Sequence, residues 1–451
     1  MRGWSPQQLA DAAGAALASQ PHGVAQGSPS GGAVAAAPGD AERLRGPVRA
    51  TIDSRDVGPG DLFVGLPGER VDGGRFAASA LAQGAWGVLV APQHAASAVV
   101  VAPADAVVLS AADPLACIQR LATAWRRELG ALVVGITGST GKTSTKDVLA
   151  AMLLAHRRTV ATRENLNTEI GLPLTVLAAP PGTEVLVLEM AMRGAGQIAE
   201  LARIAEPDVG LITNVGPVHV ELLGSVAAVA AAKAELLAGL RPGATAVLPA
   251  AEPLLDPYLR DDVTTVRFGP GGDVTEADLA GVELGFDSAH MRLNATAAMA
   301  AARAVGVEPS GRVDVALSAM RGQLRQLPGD ITVVEDCYNA NPMSMRAALD
   351  DLQRSAPGRR VAVLGDMLEL GPDAEAHHVA VGEHARAAGV ALLVAVGPHA
   401  AAMAGDHAVS SAAEAAALLP GLLEAGDTVL VKASRGVGLE AVVAALAAAE
   451  R

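Results

Sequence analysis

Short apolar runs alternate with longer stretches of helical apolar spacing between about residue 131 and residue 307. The runs predict buried strands, and the longer stretches predict amphipathic helices that cover a sheet. This alternation is typical of βαβ units on a parallel sheet. The predicted strands are residues 132–136, 185–188 and 209–213, and the helices that follow them are residues 143–155, 197–204 and 226–240.

A second alternating series occupies the C-terminal part of the chain. Each predicted strand except the last leads into a helix, which is typical of a separate doubly wound domain. These strands are residues 331–334, 361–364, 392–396 and 428–431.

The part before residue 130 contains shorter strand-like runs and a Gly- and Ser-rich stretch, residues 27–39, that predicts a loop. Together these three regions, which differ in their pattern of predicted strands and helices, predict an α/β fold with three domains. We expect an N-terminal domain at residues 1–129, a central parallel-sheet domain at residues 130–312 and a Rossmann-like domain at residues 313–451.

Residues 76–104 carry no Asp, Glu, Lys or Arg, which raises the question of a membrane-spanning helix. Gly and Pro interrupt this stretch too often for the roughly 20 apolar residues that a spanning helix needs. A helix, a strand at residues 86–90, a turn and a second strand at residues 98–101 account for it better. The chain start predicts a helix capped by Ser5, with Pro6 at its first position, and lacks the apolar core of an export signal. We expect no integral membrane association.

Composition narrows the class of partners further. The chain is 51% apolar but only 2% aromatic, and its formal net charge is −14. Such an acidic balance opposes a chain-wide affinity for nucleic acid or anionic lipid. Cys117 and Cys337 fit neither a disulfide framework nor a zinc-ligand spacing, which favours a reducing compartment. We expect a cytoplasmic monomer that binds no nucleic acid.

The strongest chemical signal is a Gly-rich turn between the first central strand and its helix. Such a turn points backbone N–H groups at a polyphosphate, with a Lys for the outer phosphates and a Thr hydroxyl for Mg²⁺. The usual G-x-x-x-x-G-K-T spacing is absent because Ile136 occupies its first position, and the shorter G-x-x-G-K-T remains. A turn that merely starts a helix is the alternative. We predict ATP binding by Gly138, Ser139, Thr140, Gly141, Lys142, Thr143 and Ser144.

Two polar residues follow predicted central strands and are candidates for metal binding. Glu189 ends the strand at 185–188, and His219 follows the strand at 209–213. Ligands in open α/β sheets bind at the carboxyl ends of the strands, where phosphoryl chemistry needs a metal. Alternatively, Glu189 is a solvated or capping residue and His219 is structural.

Lys233 lies on the apolar stripe of the predicted helix at 226–240, seven positions after Val226. One explanation is that the Lys233 side chain extends along the apolar stripe and places its ammonium group in water at the edge of the helix. The second is a lysine with a depressed pKa, which permits chemical modification or anchors a charge near the phosphates.

Residues 335–342, with two Asn, one Asp and one Tyr before a Pro, follow a strand of the C-terminal series. Their amide groups suit peptide or carboxylate recognition, although Asn-rich segments are often only turns. Residues 432–436 form a local basic patch that suits a carboxylate or a phosphate.

These residues, in this order, resemble the Mur ligases of peptidoglycan synthesis over nearly the whole chain. The two segments that discriminate most within the family are residues 336–344 and 364–371, and they are most similar to the member that uses D-alanyl-D-alanine. The other similar segments are residues 52–55, 59–64, 68–70, 137–143, 165–175, 189–190, 214–221 and 232–235.

The resemblance implies an ATP-dependent amide ligase. ATP would phosphorylate the terminal carboxylate of UDP-N-acetylmuramoyl-tripeptide, and the amine of D-alanyl-D-alanine would attack the acyl phosphate. Lys142 would hold the β,γ-phosphates, Thr143 one Mg²⁺, and Glu189 and His219 would be further metal ligands. Lys233 would be a carbamate, made from CO₂, that helps to place a second Mg²⁺.

The resemblance also implies the substrate contacts. His290 and Asn294 match an adenosine-side pair, Ser54 and Arg55 lie in a uridine-nucleotide motif, and Asn165 and Asn167 belong to a substrate-binding segment. Asp336, Asn339 and Asn341 would lie near the incoming dipeptide, with Lys432 and Ser434 near the closing edge of the third domain. The chain departs from the family pattern at Glu164 and Ala191, both usually Gly, and at Thr168, Ser288 and Met291.

Two other functions compete with this interpretation. One is another ATP-dependent amide ligase, such as a folylpolyglutamate synthetase or a different Mur ligase. The other is a nucleotide-dependent switch that uses the loop without ligation, although a switch has no need of the uridine-type motifs or of a third domain.

Overall fold

The computed structural model describes residue 1, residues 3–19 and residues 46–448. The loop predicted at residues 27–39 lies outside this part of the chain. The described strands form three larger sheets and one small pair. Their orders are β1-β5-β4-β3-β2, β11-β10-β9-β6-β8-β7, β12-β13 and β14-β15-β19-β16-β17-β18, with the strands numbered along the chain as follows.

The bounds of the strands are β1 Ala16–Ser19, β2 Ala50–Thr51, β3 Leu62–Val64, β4 Gly87–Val90, β5 Val107–Ser110, β6 Leu132–Thr137, β7 Thr159–Ala161, β8 Val185–Glu189, β9 Val209–Ile212, β10 Thr245–Pro249, β11 Thr264–Phe268, β12 Val282–Leu284, β13 Gly311–Val313, β14 Gln323–Leu327, β15 Ile331–Glu335, β16 Arg360–Gly365, β17 Leu392–Val396, β18 His407–Val409 and β19 Thr428–Lys432.

The bounds of the helices are α1 Pro6–Ala13, α2 Ala77–Ala82, α3 Pro92–Val101, α4 Pro114–Leu129, α5 Lys142–Leu154, α6 Gly171–Ala178, α7 Gln197–Ala205, α8 Val220–Leu223, α9 Val226–Ala238, α10 Ala289–Ala304, α11 Pro342–Ser355, α12 Ala374–Ala387, α13 Ala412–Leu418 and α14 Glu440–Ala448.

The chain forms two compact units that alternate along the sequence. The first contains Met1–Gly135, Arg157–Met190 and Glu200–Asp208. The second contains Ile136–His156, Ala191–Ala199 and Val209–Arg451.

In the first unit, the parallel strands β2 to β5 carry buried side chains such as Phe63 and Val88 against the helices beside them. Helix α1 begins as predicted, because the Ser5 hydroxyl accepts the N–H of Gln8 and Pro6 is the first helical residue. The strand predicted at residues 86–90 is confirmed as β4. The strand predicted at residues 98–101 is wrong, because helix α3 starts at Pro92 and continues through it.

In the second unit, strands β15, β19, β16, β17 and β18 are parallel, and β14 is antiparallel to β15. Alternate residues of these strands enter two separate cores, one on each face. Ala362 and Leu364 lie in one core, and Val361 and Val363 lie in the other. Because successive side chains point to opposite faces, continuous apolar runs mark strands that are covered on both sides.

The prediction that the last strand lacks a following helix is wrong, since β19 leads into helix α14 after a short turn at Arg435–Val437. The parallel α/β class is confirmed. Among the described residues, no helix combines the length and apolar composition needed to cross a membrane.

Candidate active site

The phosphate loop connects β6 to α5 through two glycines with positive φ. Gly138 has φ 151° and Gly141, the N-cap of α5, has φ 77°. A Cβ at Gly138 would come within 1.8 Å of the Thr213 hydroxyl, and one at Gly141 within 2.4 Å of the Asn294 side-chain oxygen. Only glycine therefore fits at these two positions, which leaves the loop backbone close to its neighbours and open to a ligand.

Asn214 holds the loop from the end of β9. Its Oδ1 accepts the N–H of Thr140 at 2.9 Å, and its Nδ2 donates to the Thr140 hydroxyl at 2.8 Å. Gly216 holds Ser139 in a similar way, because the Ser139 hydroxyl donates to the Gly216 carbonyl and accepts the Gly216 N–H. Asn214 was absent from the predicted site residues, although a polar residue after a parallel strand is the signal that identified His219.

Lys142 begins helix α5 and folds back over the loop. Its Nζ donates to the Gly138 carbonyl at 2.8 Å. Thr143, one position later, is 2% exposed. The Gly138–Ser144 segment thus has the strand–turn–helix context that a polyphosphate site requires, with a cation and a hydroxyl at the helix N-terminus.

Lys233 is 2% exposed in the middle of α9. Burial lowers its pKa well below the ordinary value, and the charge of Lys142 lowers it further. A side chain extending to solvent is therefore excluded. The structure places a buried amine, with a pKa far below that of free lysine, within electrostatic range of the phosphate loop.

His219 lies on the turn before α8 with a positive φ of 54°. Its Nδ1 contacts Oε2 of Glu369, a residue of the loop that follows β16. Burial lowers the His219 pKa, Glu369 opposes this effect, and the charges of Lys142 and Lys233 add to it. Three predicted site residues, Lys142, His219 and Lys233, therefore influence one another electrostatically. Glu369 was not predicted as a site residue, because its contact with His219 joins distant parts of the sequence.

Glu189 belongs to the first compact unit. It ends β8, is 2% exposed, and its backbone N–H donates to the Thr162 hydroxyl. Asn167 Nδ2 donates to Glu189 Oε1 at 2.8 Å, so these two predicted residues are brought together. Asn165 is exposed, and its backbone carbonyl accepts the Asn167 N–H. The carboxylate of Glu189 is thus a buried, hydrogen-bonded group and not a solvated strand end.

The predicted adenosine-side pair occupies the first turns of α10. Asn294 is buried against Gly141 of the phosphate loop, as the 2.4 Å Cβ approach shows. His290 is more exposed, and its Nδ1 lies 2.6 Å from Oδ2 of Asp351 on helix α11.

The asparagine loop, residues 336–341, is held by buried polar groups. Lys432, 3% exposed, donates to Asp336 Oδ2 at 2.6 Å and to the Asn339 carbonyl at 3.0 Å. Ser434 donates to the Ala340 carbonyl and accepts the N–H of Leu368. Lys432 and Ser434 therefore fix the backbone of the loop.

Asn341 and Asn339 differ within this loop. Asn341 is buried, and its Oδ1 accepts the Ser344 N–H in a capping box at the start of α11. Asn339 is exposed, and its Oδ1 accepts the N–H of the next residue, Ala340. Asn341 thus shapes the loop, while Asn339 faces solvent.

Ser54 and Arg55 lie in an exposed turn of the first unit. Arg55 forms a bidentate ion pair with Asp53, which lowers the Asp53 pKa to about 2. The Ser54 carbonyl accepts a hydrogen bond from Gln83.

Two of the side chains predicted to bind metal, taken separately, carry oxygen donors, which are the ligands that Mg²⁺ prefers. A Thr hydroxyl and a Glu carboxylate are such donors. Within the described ranges, no three His, Cys, Asp or Glu side chains are grouped as a ready-made metal site.

Parallel α/β sheets and a phosphate loop define a nucleotide-binding enzyme. Three family models match the chain in order: the Mur ligase family catalytic domain at residues 49–126, the Mur ligase middle domain at residues 136–302 and the Mur ligase glutamate ligase domain at residues 320–435. The chain belongs to the Mur ligase family of ATP-dependent ligases.

The curated relatives agree with this assignment. The UDP-N-acetylmuramoyl-tripeptide--D-alanyl-D-alanine ligase of Mycobacterium tuberculosis is 38% identical, over 93% of this chain and 96% of the relative. The ligase of the same name from Escherichia coli is 34% identical, over 88% and 93%.

Solved structures agree as well. MurF from Acinetobacter baumannii has a TM-score of 0.79 and 27% identity, covering 98% of both chains. MurF from Thermotoga maritima in complex with ADP has a TM-score of 0.75 and 29% identity, covering 88% of this chain and 96% of that one.

Proposed function

We propose that the chain joins D-alanyl-D-alanine to UDP-N-acetylmuramoyl-tripeptide, using ATP, in peptidoglycan synthesis. The observation that carries the proposal is the phosphate loop with Lys142 at its helix, close enough to His219 and the buried Lys233 to affect their pKa values. The names of the relatives supply the substrates.

In the first step, a terminal carboxylate oxygen of the tripeptide attacks the γ-phosphorus of ATP, and the bond to the ADP oxygen breaks. The loop N–H groups, the α5 N-terminus and Lys142 stabilise the negative charge of the phosphoryl group. Asn214 keeps the loop in place through Thr140. Asn294 lies against Gly141, which suits an adenosine-side position for Asn294 and His290.

Mg²⁺ would be held by Thr143, Glu189, His219 and Lys233 as a carbamate, and it would neutralise charge on the transferred phosphoryl group. Carbamate formation requires a neutral amine, whose nitrogen attacks CO₂ and releases one proton. The lowered pKa of Lys233 supplies that neutral amine. The resulting carboxylate would offset the positive charge of Lys142 beside it.

In the second step, the dipeptide amine attacks the acyl carbon, a tetrahedral intermediate forms, and inorganic phosphate leaves. The amine loses a proton as the amide bond is made. Asp336, Asn339 and Asn341 would surround this dipeptide, in a loop that Lys432 and Ser434 hold. Exclusion of water from the acyl phosphate would protect it from hydrolysis.

The remaining assignments follow the same proposal. Residues 1–129 would form the UDP-substrate domain, in which Ser54 and Arg55 would contact the uridine nucleotide. Asn165 and Asn167 would contact the substrate from the central domain. The ATP-binding domain would be residues 130–312 and the ligase domain residues 313–451. The enzyme would act as a cytoplasmic monomer.

Substrate omission tests the function. Phosphate release from ATP is measured with UDP-N-acetylmuramoyl-tripeptide and D-alanyl-D-alanine supplied singly and together. Turnover should require both, and the product should be the pentapeptide by mass. Turnover with glutamate or another amino acid in place of the dipeptide would instead indicate a different amide ligase.

Lys233→Ala tests the carbamate. Ligation should be abolished and then partly restored by a short-chain carboxylic acid that fits the vacated space. The unsubstituted protein, incubated with ¹³C-labelled CO₂, should show an NMR signal from a carbamate carbon, and Lys233→Ala should lack this signal. Near-normal activity of Lys233→Ala, without added acid, would contradict the modification.

A further inference from the structure

Gly216 lies between the phosphate loop and helix α11. On one side, its N–H donates to the Ser139 hydroxyl at 2.9 Å, and its carbonyl accepts from that hydroxyl at 3.1 Å. On the other side, a Cβ at Gly216 would overlap Sδ of Met343, and the next atoms it would meet are Met343 Cγ at 3.3 Å and Cε at 3.5 Å. The Met343 thioether therefore fills the space that a side chain at position 216 would occupy.

Backbone conformation does not explain the glycine at position 216. Gly216 is not among the residues with positive φ, so a residue with a Cβ could adopt the same conformation. Gly138 and Gly141 differ in this respect, because both have positive φ. The close approach of Met343 accounts for the missing side chain at Gly216 instead.

The start of helix α11 fixes the backbone of Met343, which is the second residue of the helix. Asn341 caps the helix through the Ser344 N–H, and Met345 is fully buried in one of the two cores of the C-terminal sheet. Only the side-chain torsions of Met343 can therefore adjust easily. Methionine suits such a contact, because its unbranched thioether fills irregular space.

The segment that contains Gly216, residues 214–221, also contacts the loop after β16. Glu369 of that loop contacts His219, and a Cβ at Gly371 would come within 3.3 Å of the Glu221 Cα. Hydrogen bonds of Ser434 join that loop to the asparagine loop. Residues 214–221 thus support the phosphate loop on one side and contact two segments of the C-terminal sheet on the other.

The proposed reaction depends on the separation of the phosphate loop and the asparagine loop. The acyl phosphate would form at the first loop, and the amine that attacks it would be held at the second. Reacting atoms must come within about 3–3.5 Å of each other, and a misplacement of about 1 Å can cost about 100-fold in rate. Close-packed contacts resist compression, so they can set such a separation.

We propose that Met343 is a positioning residue, whose thioether packs on Gly216 and sets the distance between the phosphate loop and the asparagine loop. This inference rests on the proposed function and adds a residue that acts on its second step. Met343 acts through Gly216 and helix α11, and not on a reacting atom.

A pair of compensating substitutions tests the contact. Gly216→Ala should lower kcat for pentapeptide formation about 10-fold, because the new Cβ displaces the Met343 thioether. Met343→Ala should also lower kcat, because the contact is lost. The combined Gly216→Ala/Met343→Ala variant should be at least about threefold more active than either single variant, because the second substitution makes room for the new Cβ.

A second measurement separates the two steps of the reaction. Isotope scrambling in ATP with UDP-N-acetylmuramoyl-tripeptide alone reports the first step, and the single variants should retain it together with the KM for ATP. With both substrates present, they should release more phosphate per pentapeptide formed, because water hydrolyses an acyl phosphate that waits for the amine. A residue that served only stability would lower the fraction of folded molecules and leave this ratio unchanged.

Two control variants accompany these measurements. Gly421→Ala adds a Cβ at a glycine where nothing lies within 4 Å of it, and it should leave kcat unchanged. Met343→Leu keeps most of the side-chain volume and should stay within about threefold of the unsubstituted enzyme.

Two results would overturn the inference. One is a combined variant that is no more active than the single variants. The other is coupling of the two substitutions in the free energy of unfolding but not in kcat per folded molecule, which would make Met343 a packing residue only. Failure of the proposed function would look different, because the unsubstituted enzyme would then form no pentapeptide.

Discussion

The charge of Lys142 lowers the pKa of Lys233, although the two lysines lie on different helices. Burial is the larger cause, and Lys142 adds to it. Both effects oppose a second ammonium group beside the phosphate loop. A neutral amine is the form that reacts with CO₂. The burial of Lys233 on an apolar stripe therefore favours the form of the side chain that carbamate formation needs.

Lys142→Ala should lower kcat/KM for ATP by about 100-fold or more, because the charge on the transferred phosphoryl group loses the cationic side chain of the phosphate loop. Lys146, one turn later, cannot replace it, since its side chain is buried and paired with Asp147 at 2.5 Å. ADP formation with both substrates present measures the effect. Lys146→Ala in the same background should cause no further loss in turnover per folded molecule, and a large further loss would show that Lys146 had taken over.

Asn341→Ala should lower the free energy of unfolding by about 1 kcal/mol, because helix α11 loses its N-cap. Asn341→Ser keeps a capping oxygen and should regain most of that stability. Denaturant unfolding followed by circular dichroism measures both variants. If Asn341→Ala had the same free energy of unfolding as the parent, the helix cap would not contribute to stability.

Glu164→Gly should raise the free energy of unfolding by about 0.5–1 kcal/mol. Glu164 has a positive φ of 48°, a conformation that costs a residue with a Cβ more than it costs glycine. This position is one where the family usually has Gly. Arg163→Gly, beside it, is the control and should not stabilise, because Arg163 is not among the residues with positive φ. An equal effect of the two substitutions would exclude the backbone explanation.

Stability should fall as the pH drops below about 6.5, in part because of His378. This residue is fully buried, accepts the Met367 N–H at Nε2 and donates from Nδ1 to the Ala374 carbonyl. Burial lowers its pKa, His399 and His377 lower it further, and the Ala374 bond and Asp366 oppose this. The folded state therefore favours the neutral ring. Its contribution is complete above the unfolded pKa near 6.5 and is lost as the pH falls towards the folded pKa.

The loss from this single group should not exceed about 1.4 kcal/mol per pH unit. Unfolding free energies at pH 7.5 and pH 5.5 should differ less in His378→Gln than in the parent. His156→Gln, which changes an exposed histidine, should keep the parent's difference. A pH dependence that is identical in His378→Gln would rule out this group as its source.

The phosphate loop was predictable because its strand, glycines, lysine and helix are contiguous, and local sterics decide the turn. The strand at residues 98–101 was predicted wrongly from its valines, because Pro92 starts a helix that continues through them. Local preference for strand is weak where packing favours another structure.

The sequence by itself determined the alternation of strands and helices, the capped start of α1 and the positions of the glycines that make the phosphate loop. These follow from side-chain periodicity and backbone sterics within a few residues. Only the tertiary structure decided that His219 contacts Glu369, that Lys432 is buried against Asp336 and that Arg321 stacks on Tyr338. Such pairs join distant segments, and their contacts depend on how strands and helices pack, which no local pattern encodes.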